Sequence, residues 1–339
     1  MLIVAALGGN ALLKRGESMT AENQRANIKR AASALATLIA AGHDLVVTHG
    51  NGPQVGLLAL QSMIPPGSPF PLDVLDAESA GMIGYVLEQE LANVVDNRRF
   101  ATLLTQIKVD PSDPAFDYPT KFIGPGYDLA TARSLADQRG WKIAADGDKW
   151  RRVVASPRPL AILEVPVIAS LVEQGVIVIC AGGGGIPVVE REDGILAGVE
   201  AVIDKDLASA MLAKDLKADM LLLLTDVDAV YRDFGTPAAC ALAHVNPASL
   251  QASAFPTGSM GPKVAAAIEF STLTGKIAAI GNLEEAIDIV SGKRGTWLDG
   301  RVPRDPVVTA SQGSTAARSC APHYDRARLK HPVRRTFSG

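Results

Sequence analysis

Apolar residues along the chain fall into short unbroken runs, separated by longer stretches with helical spacing. The first run is Leu2-Ile3-Val4-Ala5-Ala6-Leu7. Residues 22–41 then put Ile28, Ala31, Ala32, Leu35, Leu38 and Ile39 on one helical face, with Gly42 as a stop. A second strand at Leu45-Val46-Val47 is followed by a helix over roughly 73–97 and a third strand over 101–109. Further on, the pattern predicts a helix near 160–173, a strand at 176–180 and a hairpin over 186–200 that turns at Asp193-Gly194. A helix over 204–216, the strand Leu221–Leu224, a helix from about Met260, the strand Ile277–Ile280 and a helix over about 282–291 complete it. Runs without period-2 alternation, spaced by helices, predict an α/β fold with a mainly parallel sheet covered on both faces.

Two stretches break the alternation. Residues 110–160 hold Pro111, Pro114, Pro119, Pro125, Pro157 and Pro159 with many charges, and read as an inserted subdomain or lid. Beyond Leu298 the chain is rich in Pro, Ser, Thr and Arg, so residues 299–339 are expected to form a disordered or loosely docked extension. Residues 301–339 carry a net charge of +6 within a total of −3, leaving −9 on residues 1–300.

Composition narrows the class. With 339 residues and 47% hydrophobic content, the chain can bury a large core or two modest lobes. A net charge of −3 makes no bulk case for nucleic acid or a membrane surface. No apolar run reaches ~18 residues and no charged leader precedes the first strand, so no membrane span, no signal peptide and a cytoplasmic location are expected. The odd, widely spaced Cys180, Cys240 and Cys320 suggest neither a disulfide framework nor a zinc site.

The candidate chemistry lies at the strand ends. They read Gly8-Gly9-Asn10, His49-Gly50-Asn51-Gly52, Gly182-Gly183-Gly184-Gly185 and Thr225-Asp226-Val227-Asp228. In open α/β sheets ligands bind beyond the carboxyl ends of the strands. One Gly-Gly pair is ordinarily a turn. Three Gly-rich strand ends in one sheet offer backbone N–H groups to an anion. Residues 5–10 are neither a P-loop nor a Gly-x-Gly-x-x-Gly turn and contain no cation, so positive charge must come from elsewhere.

Two lysines stand where the helix dipole disfavours them. Asp204 is a good N-cap and puts Lys205 in a first turn. Pro262 suits a first helical position, which again puts Lys263 in a first turn. Each costs roughly 0.3–1 kcal/mol unless an anion sits at the helix end. Asp206 could hold both ammonium groups, and the simpler reading of a first-turn acid fits nearly as well. Lys121, in a loop stiffened by Pro119 and Pro125, is a third candidate, although most loop lysines are solvated. His49 has no nameable partner, and neither zinc-ligand spacing nor a Gly-x-Ser-x-Gly elbow is found.

The segments ALGGNAL (6–12), THGNGPQVG (48–56), PTKFIGP (119–125), AGGGGIPV (181–188), VIDKDLAS (202–209), LTDVDAVY (224–231) and GSMGPKV (258–264) resemble the amino-acid-kinase superfamily, and within it the carbamate kinases. The resemblance they carry covers residue 1 to about 298. The resemblance implies a three-layer αβα sandwich with a protruding subdomain near 110–160, and a homodimer. It implies reversible phosphoryl transfer between ATP and carbamate, giving ADP and carbamoyl phosphate, within arginine or purine catabolism. Mg²⁺ would bridge phosphate oxygens with few protein ligands.

By position, the resemblance puts Gly8, Gly9 and Asn10 along the transferring phosphoryl group. Gly50, Asn51 and Gly52 would hold carbamate through backbone N–H and amide donors. Lys205 and Lys263 would bind phosphate oxygens, Asp206 would orient them, and Lys121 would reach down from the subdomain. Asp226, Val230, Tyr231, Met260 and Gly261 would line the nucleotide pocket together with Lys263. The paired acids of the Asp226 segment match no magnesium motif of this family. Acetylglutamate and aspartate kinases carry a lysine just before the first glycines. Here Ala5-Ala6 stands there, as in carbamate kinases, and Lys121 would supply that charge. The 299–339 extension departs from the carbamate kinase pattern. Two other readings compete: a superfamily kinase for another small carboxylate or phosphate, and a non-catalytic nucleotide-binding regulator, which the retained lysines oppose.

Overall fold

The computed structural model describes residues 1–13, 17–62, 70–255 and 260–304. Its centre is an eight-stranded sheet with the spatial order His244–Val245, Thr296–Leu298, Ile277–Asn282, Met220–Thr225, Leu2–Leu7, Asp44–His49, Val176–Ile179, Arg99–Thr102. Neighbours are parallel except Ile277–Asn282 against Thr296–Leu298.

The strand Leu2–Leu7 shows why its sequence lacks alternation. Ile3, Ala5 and Leu7 pack with Ile28, Leu35 and Leu38 of helix Ala21–Ala40 and with Ile83 and Leu87 of helix Leu72–Ala92. Val4 and Ala6 share the opposite core with Leu212 of helix Lys205–Asp215 and with Val264 and Phe270 of helix Met260–Thr274. Both faces are dry, so every position is apolar. The result is the expected three-layer αβα sandwich.

The boundaries differ from expectation in places. The run expected as one strand over 101–109 is two: Arg99–Thr102 ends the main sheet, and Gln106–Val109 enters a second sheet. Thr105 makes the break, its side chain accepting from Ala181 N at 3.0 Å and its carbonyl from Ile186 N at 2.8 Å. The helix expected near 160–173 is preceded by a strand, Pro159–Ile162, and starts only at Val165. The helix expected over 73–97 ends at Ala92. The hairpin does form: Ile186–Glu190 pairs antiparallel with Leu196–Gly198, and Gly194 turns at φ +78°.

The irregular stretch builds its own antiparallel sheet from Lys121–Tyr127, Lys149–Val154 and Lys142–Asp146, beside helix Leu129–Arg139. It bears on helix Gly52–Gln61 where Gly56 and Gly124 cross backbone to backbone, a gap that admits no Cβ on Gly56. Past Leu298 the chain stays tied down for a few residues, because Asn246 Nδ2 donates to Val302 O at 2.6 Å and Asp299 holds the Arg301 guanidinium at 2.7 Å. The expected extension from residue 305 onward lies outside the described residues. Cys180 is buried and free. No helix among the described residues is long and apolar enough to cross a membrane.

Candidate active site

Strand register gathers the loops. Leu7 is level with Leu224 on one side and with His49 on the other, and Val47 is level with Ile179. The glycine loops therefore leave one sheet edge together. Gly8 N donates to Leu224 O at 2.8 Å, and Gly50 N donates to Leu7 O at 3.2 Å. Gly9 opens a four-residue helix, Gly9–Leu12, where a loop was expected. A Cβ on Gly50 would lie 3.4 Å from Gly9 N and 3.8 Å from Lys205 Cδ, so the first two loops and Lys205 adjoin. The side chain of Asn10 lies outside the described residues. Gly52 starts helix Gly52–Gln61, with Pro53 in its first turn.

The cations converge on one carboxylate. Asp204 caps helix Lys205–Asp215, its Oδ1 accepting from Asp206 N at 2.9 Å and Leu207 N at 3.3 Å. Lys205 is the first residue of that helix, as the cap predicts. Lys263 lies in the first turn of helix Met260–Thr274, which begins at Met260, so Pro262 is its third residue and not its first. Lys205 Nζ is 2.5 Å from Asp206 Oδ1, and Lys263 Nζ is 3.3 Å from Asp206 Oδ2. Asp206 is therefore a bridge between two ammonium groups and more than a dipole-favoured acid. Burial alone would raise its carboxyl, but Lys205 and Lys263 outweigh burial and hold it well below the usual carboxylate range. Burial pushes the Lys205 ammonium down, against the opposing pull of Asp206.

Lys121 arrives from the inserted subdomain, where it is the first residue of strand Lys121–Tyr127 and not part of the loop expected for it. Its Nζ lies 2.7 Å from Asp204 Oδ2 with the side chain 30% exposed. Burial pulls its pKa down, but the charge and hydrogen bond of Asp204, together with the charges of Asp206 and Asp76, outweigh burial and raise it.

Asn51 departs from expectation. Its Nδ2 donates to Asp76 Oδ1 at 2.9 Å and to Ser79 Oγ at 2.7 Å, so both amide hydrogens are committed inside the protein. The side chain has no donor for a carboxylate; only its carbonyl oxygen remains. Gly183, at φ +73°, lies against this amide so closely that no Cβ fits. His49 is buried, with Nδ1 3.2 Å from Gly50 O, and burial first, then Lys205, lower its pKa to about 4. It is a neutral imidazole at pH 7.

The nucleotide candidates share the sheet edge. Asp226 follows strand Met220–Thr225 and accepts from Thr225 Oγ1 at 3.1 Å. Val230 is buried and donates from N to Thr296 Oγ1 at 2.8 Å. Tyr231 donates from its hydroxyl to Asp228 at 3.0 Å and sets its ring edge against Phe234 at 5.8 Å. Met260 and Gly261 open the helix that carries Lys263; Gly258 and Ser259 lie outside the described residues. Among the described residues no cluster of three or more His, Cys, Asp or Glu could hold a metal ion.

Asp76, Ser79 and the second role of Asp204 were missed in the sequence. Asp76 and Ser79 interrupt the buried face that Leu72, Leu75, Ala80 and Ile83 make on their helix, and that interruption was the available signal.

Known proteins carry the same pattern. Residues 1–280 match the family model described as the amino acid kinase family. The chain is 57% identical over 302 residues to a carbamate kinase of Rhizobium meliloti, covering 88% of this chain and 93% of that protein. It is 55% identical over 300 residues to the carbamate kinase of Haemophilus influenzae, covering 88% and 96%. The solved Giardia lamblia carbamate kinase bound to AMP-PNP superposes with a TM-score of 0.79 at 42% identity, covering 88% and 98%. The chain belongs to the amino acid kinase family and, within it, to the carbamate kinases.

Proposed function

We propose that the chain transfers a phosphoryl group reversibly between ATP and carbamate, giving ADP and carbamoyl phosphate. The observation that carries this reading is the meeting of Lys205 and Lys263 on Asp206, with Lys121 two residues away on Asp204. Phosphoryl transfer needs in-line positioning and neutralisation of charge on the equatorial oxygens, and no covalent nucleophile. Lysines on two helix starts and one inserted sheet surround such a group from different directions. Gly9 adds a backbone donor along the same edge, while the N–H groups of Gly8 and Gly50 are spent on Leu224 O and Leu7 O.

Carbamate is already an anionic nucleophile, so no proton has to be removed from it. A neutral, buried His49 is compatible with that chemistry. The carboxylate of carbamate would lie on the backbone N–H groups of Asn51 and Gly52, since that of Gly50 is held by Leu7 O, with the Asn51 side chain contributing an acceptor and no donor. The nucleotide would occupy the side lined by Asp226, Val230, Tyr231 and Met260, and the AMP-PNP bound by the Giardia relative supports nucleotide binding by this chain.

Mg²⁺ would enter bound to the nucleotide phosphates. Both oxygens of Asp206 face lysines, and Asp204 is divided between the helix cap and Lys121. This donor set suits an anion and leaves the metal to phosphate oxygens. The inserted sheet would act as a lid that delivers Lys121. We also infer a homodimer, in a cytoplasmic enzyme of arginine or purine catabolism. Met82, Tyr85 and Leu104 stand exposed beside the edge strand Arg99–Thr102, and sedimentation equilibrium tests the dimer.

The direct test is ATP formation from ADP, Mg²⁺ and carbamoyl phosphate. Turnover is expected; a rate no greater than the decomposition of carbamoyl phosphate in solution would overturn the assignment.

A further inference from the structure

The Asn51 amide is held in one orientation by two buried partners. Ser79 Oγ donates its own hydrogen to Asp76 O at 3.0 Å, so it can only accept from Asn51 Nδ2. Asp76 Oδ1 accepts the other amide hydrogen. Rotating the amide by half a turn would set Asn51 Oδ1 against the lone pairs of Ser79 Oγ, whose own hydrogen is already committed to Asp76 O. Among the described residues, Asn51 Oδ1 accepts no hydrogen bond. An acceptor is therefore the one hydrogen-bonding capacity this side chain has to spare, in a loop that adjoins Gly9 and Lys205.

The partners are built into the core. Asp76 and Ser79 are both 0% exposed, and Asp76 Oδ2 has no hydrogen-bond partner. Burial, with Asp73 and Glu200 nearby adding to it, pushes the Asp76 carboxyl well above the usual carboxylate range against the bond from Asn51. A neutral carboxyl has a carbonyl oxygen that still accepts from Asn51. Gly183 packs against the amide so closely that a Cβ there would collide with Asn51 Nδ2. A buried carboxyl with an orphan oxygen is costly in a helix face that would otherwise be apolar. Fixing the Asn51 amide is a function that matches its position.

We propose that Asp76 and Ser79 are positioning residues that set acceptor-substrate selectivity, by holding Asn51 so that its carbonyl oxygen receives an N–H of the substrate. The inference rests on the carbamate reading of the loop at Gly50–Gly52. Carbamate and acetate are both small planar carboxylates; they differ in an NH₂ where acetate has a methyl. The NH₂ satisfies Asn51 Oδ1. The methyl leaves a desolvated acceptor unpaired, and a site built to hydrogen-bond a substrate N–H rejects the analogue that lacks it. Backbone donors on the carboxylate treat the two alike, so selectivity is assigned to this one oxygen.

The test compares carbamoyl phosphate with acetyl phosphate as phosphoryl donors to ADP, read as the ratio of the two kcat/KM values. Ser79→Ala and Asp76→Val each remove one acceptor for the Asn51 amide. Each is expected to lower the ratio by roughly tenfold or more, through carbamoyl phosphate, while acetyl phosphate changes by less than about threefold. Asp76→Asn restores an acceptor oxygen and is expected to recover most of the selectivity lost in Asp76→Val. ADP affinity serves as the control for folding, and Ser79→Ala carries the test by itself if Asp76→Val does not fold. Equal losses with both donors would overturn the inference, as would a Ser79→Ala ratio equal to wild type. Failure of the wild-type protein to use carbamoyl phosphate at all would instead overturn the carbamate reading.

Discussion

Asp204 holds Lys121 with one oxygen and caps a helix with the other. Its Oδ2 lies 2.7 Å from Lys121 Nζ, and its Oδ1 accepts from Asp206 N at 2.9 Å. A lysine on the inserted sheet is thereby fastened to the start of the helix that carries Lys205. The two tasks separate chemically. Asp204→Asn keeps a capping oxygen and removes the charge that draws Lys121 in. It is expected to lower kcat by roughly tenfold, equivalent to about 1.4 kcal/mol, with little change in melting temperature. A kcat equal to wild type would show that Lys121 finds its place without Asp204.

Lys121→Ala is expected to reduce kcat by two orders of magnitude or more while ADP affinity changes less than about threefold. In the proposed reading its charge faces the transferring group and lies away from the nucleotide side. Calorimetric titration of ADP beside steady-state rates separates the two effects. Equal losses in kcat and ADP affinity would contradict the assigned role.

Asp206 differs from Asp204 because it is buried with both its partners. Removing it leaves Lys205 and Lys263 adjacent and uncompensated. Asp206→Ala is expected to cost about 3–5 kcal/mol of stability as well as activity. Urea denaturation measures the first. Lys121→Ala, on a partly exposed side chain, should shift the same curve by less than about 1 kcal/mol.

Gly183 is placed where a methyl group would collide with the Asn51 amide, at a φ of +73° that L-residues rarely adopt. Gly183→Ala is expected to lose about 1–2 kcal/mol from the backbone alone. It should also displace Asn51, so KM for carbamoyl phosphate should rise more than KM for ADP. A parallel rise in both would indicate general loosening of the sheet edge.

His49 supplies a pH dependence with a definite sign. Its folded pKa is about 4, below the ordinary histidine value near 6.5, because burial disfavours the charged ring. The unfolded chain therefore binds a proton between those values that the folded protein refuses. The stability His49 contributes is complete above about pH 6.5 and is lost as pH falls toward 4, by about 3 kcal/mol in total. His49→Gln should flatten the fall in unfolding free energy between pH 7 and 5. An unchanged slope would assign the acid sensitivity to other groups.

Much of this molecule could be read along the chain. The unbroken apolar runs at Leu2–Leu7 and Met220–Thr225 announced strands covered on both faces, because burial on two sides leaves no polar position. The Asp204 cap and the placement of Lys205 followed from helix-end chemistry, which is local. So did the turn at Gly194. Tertiary structure decided what local chemistry cannot reach. Thr105 breaks a continuous-looking strand because Ala181 and Ile186 claim its oxygens from another part of the chain. Lys205, Lys263 and Asp206 meet because sheet order sets two helix starts side by side, a relation between positions 57 residues apart in the case of Asp206 and Lys263. The Asn51 amide faces the opposite way from the sequence expectation because Asp76 and Ser79 hold it from a neighbouring helix. Residue types named the chemistry available; the partners that orient each group were set by packing, where long-range neighbours compete for the same donor or acceptor.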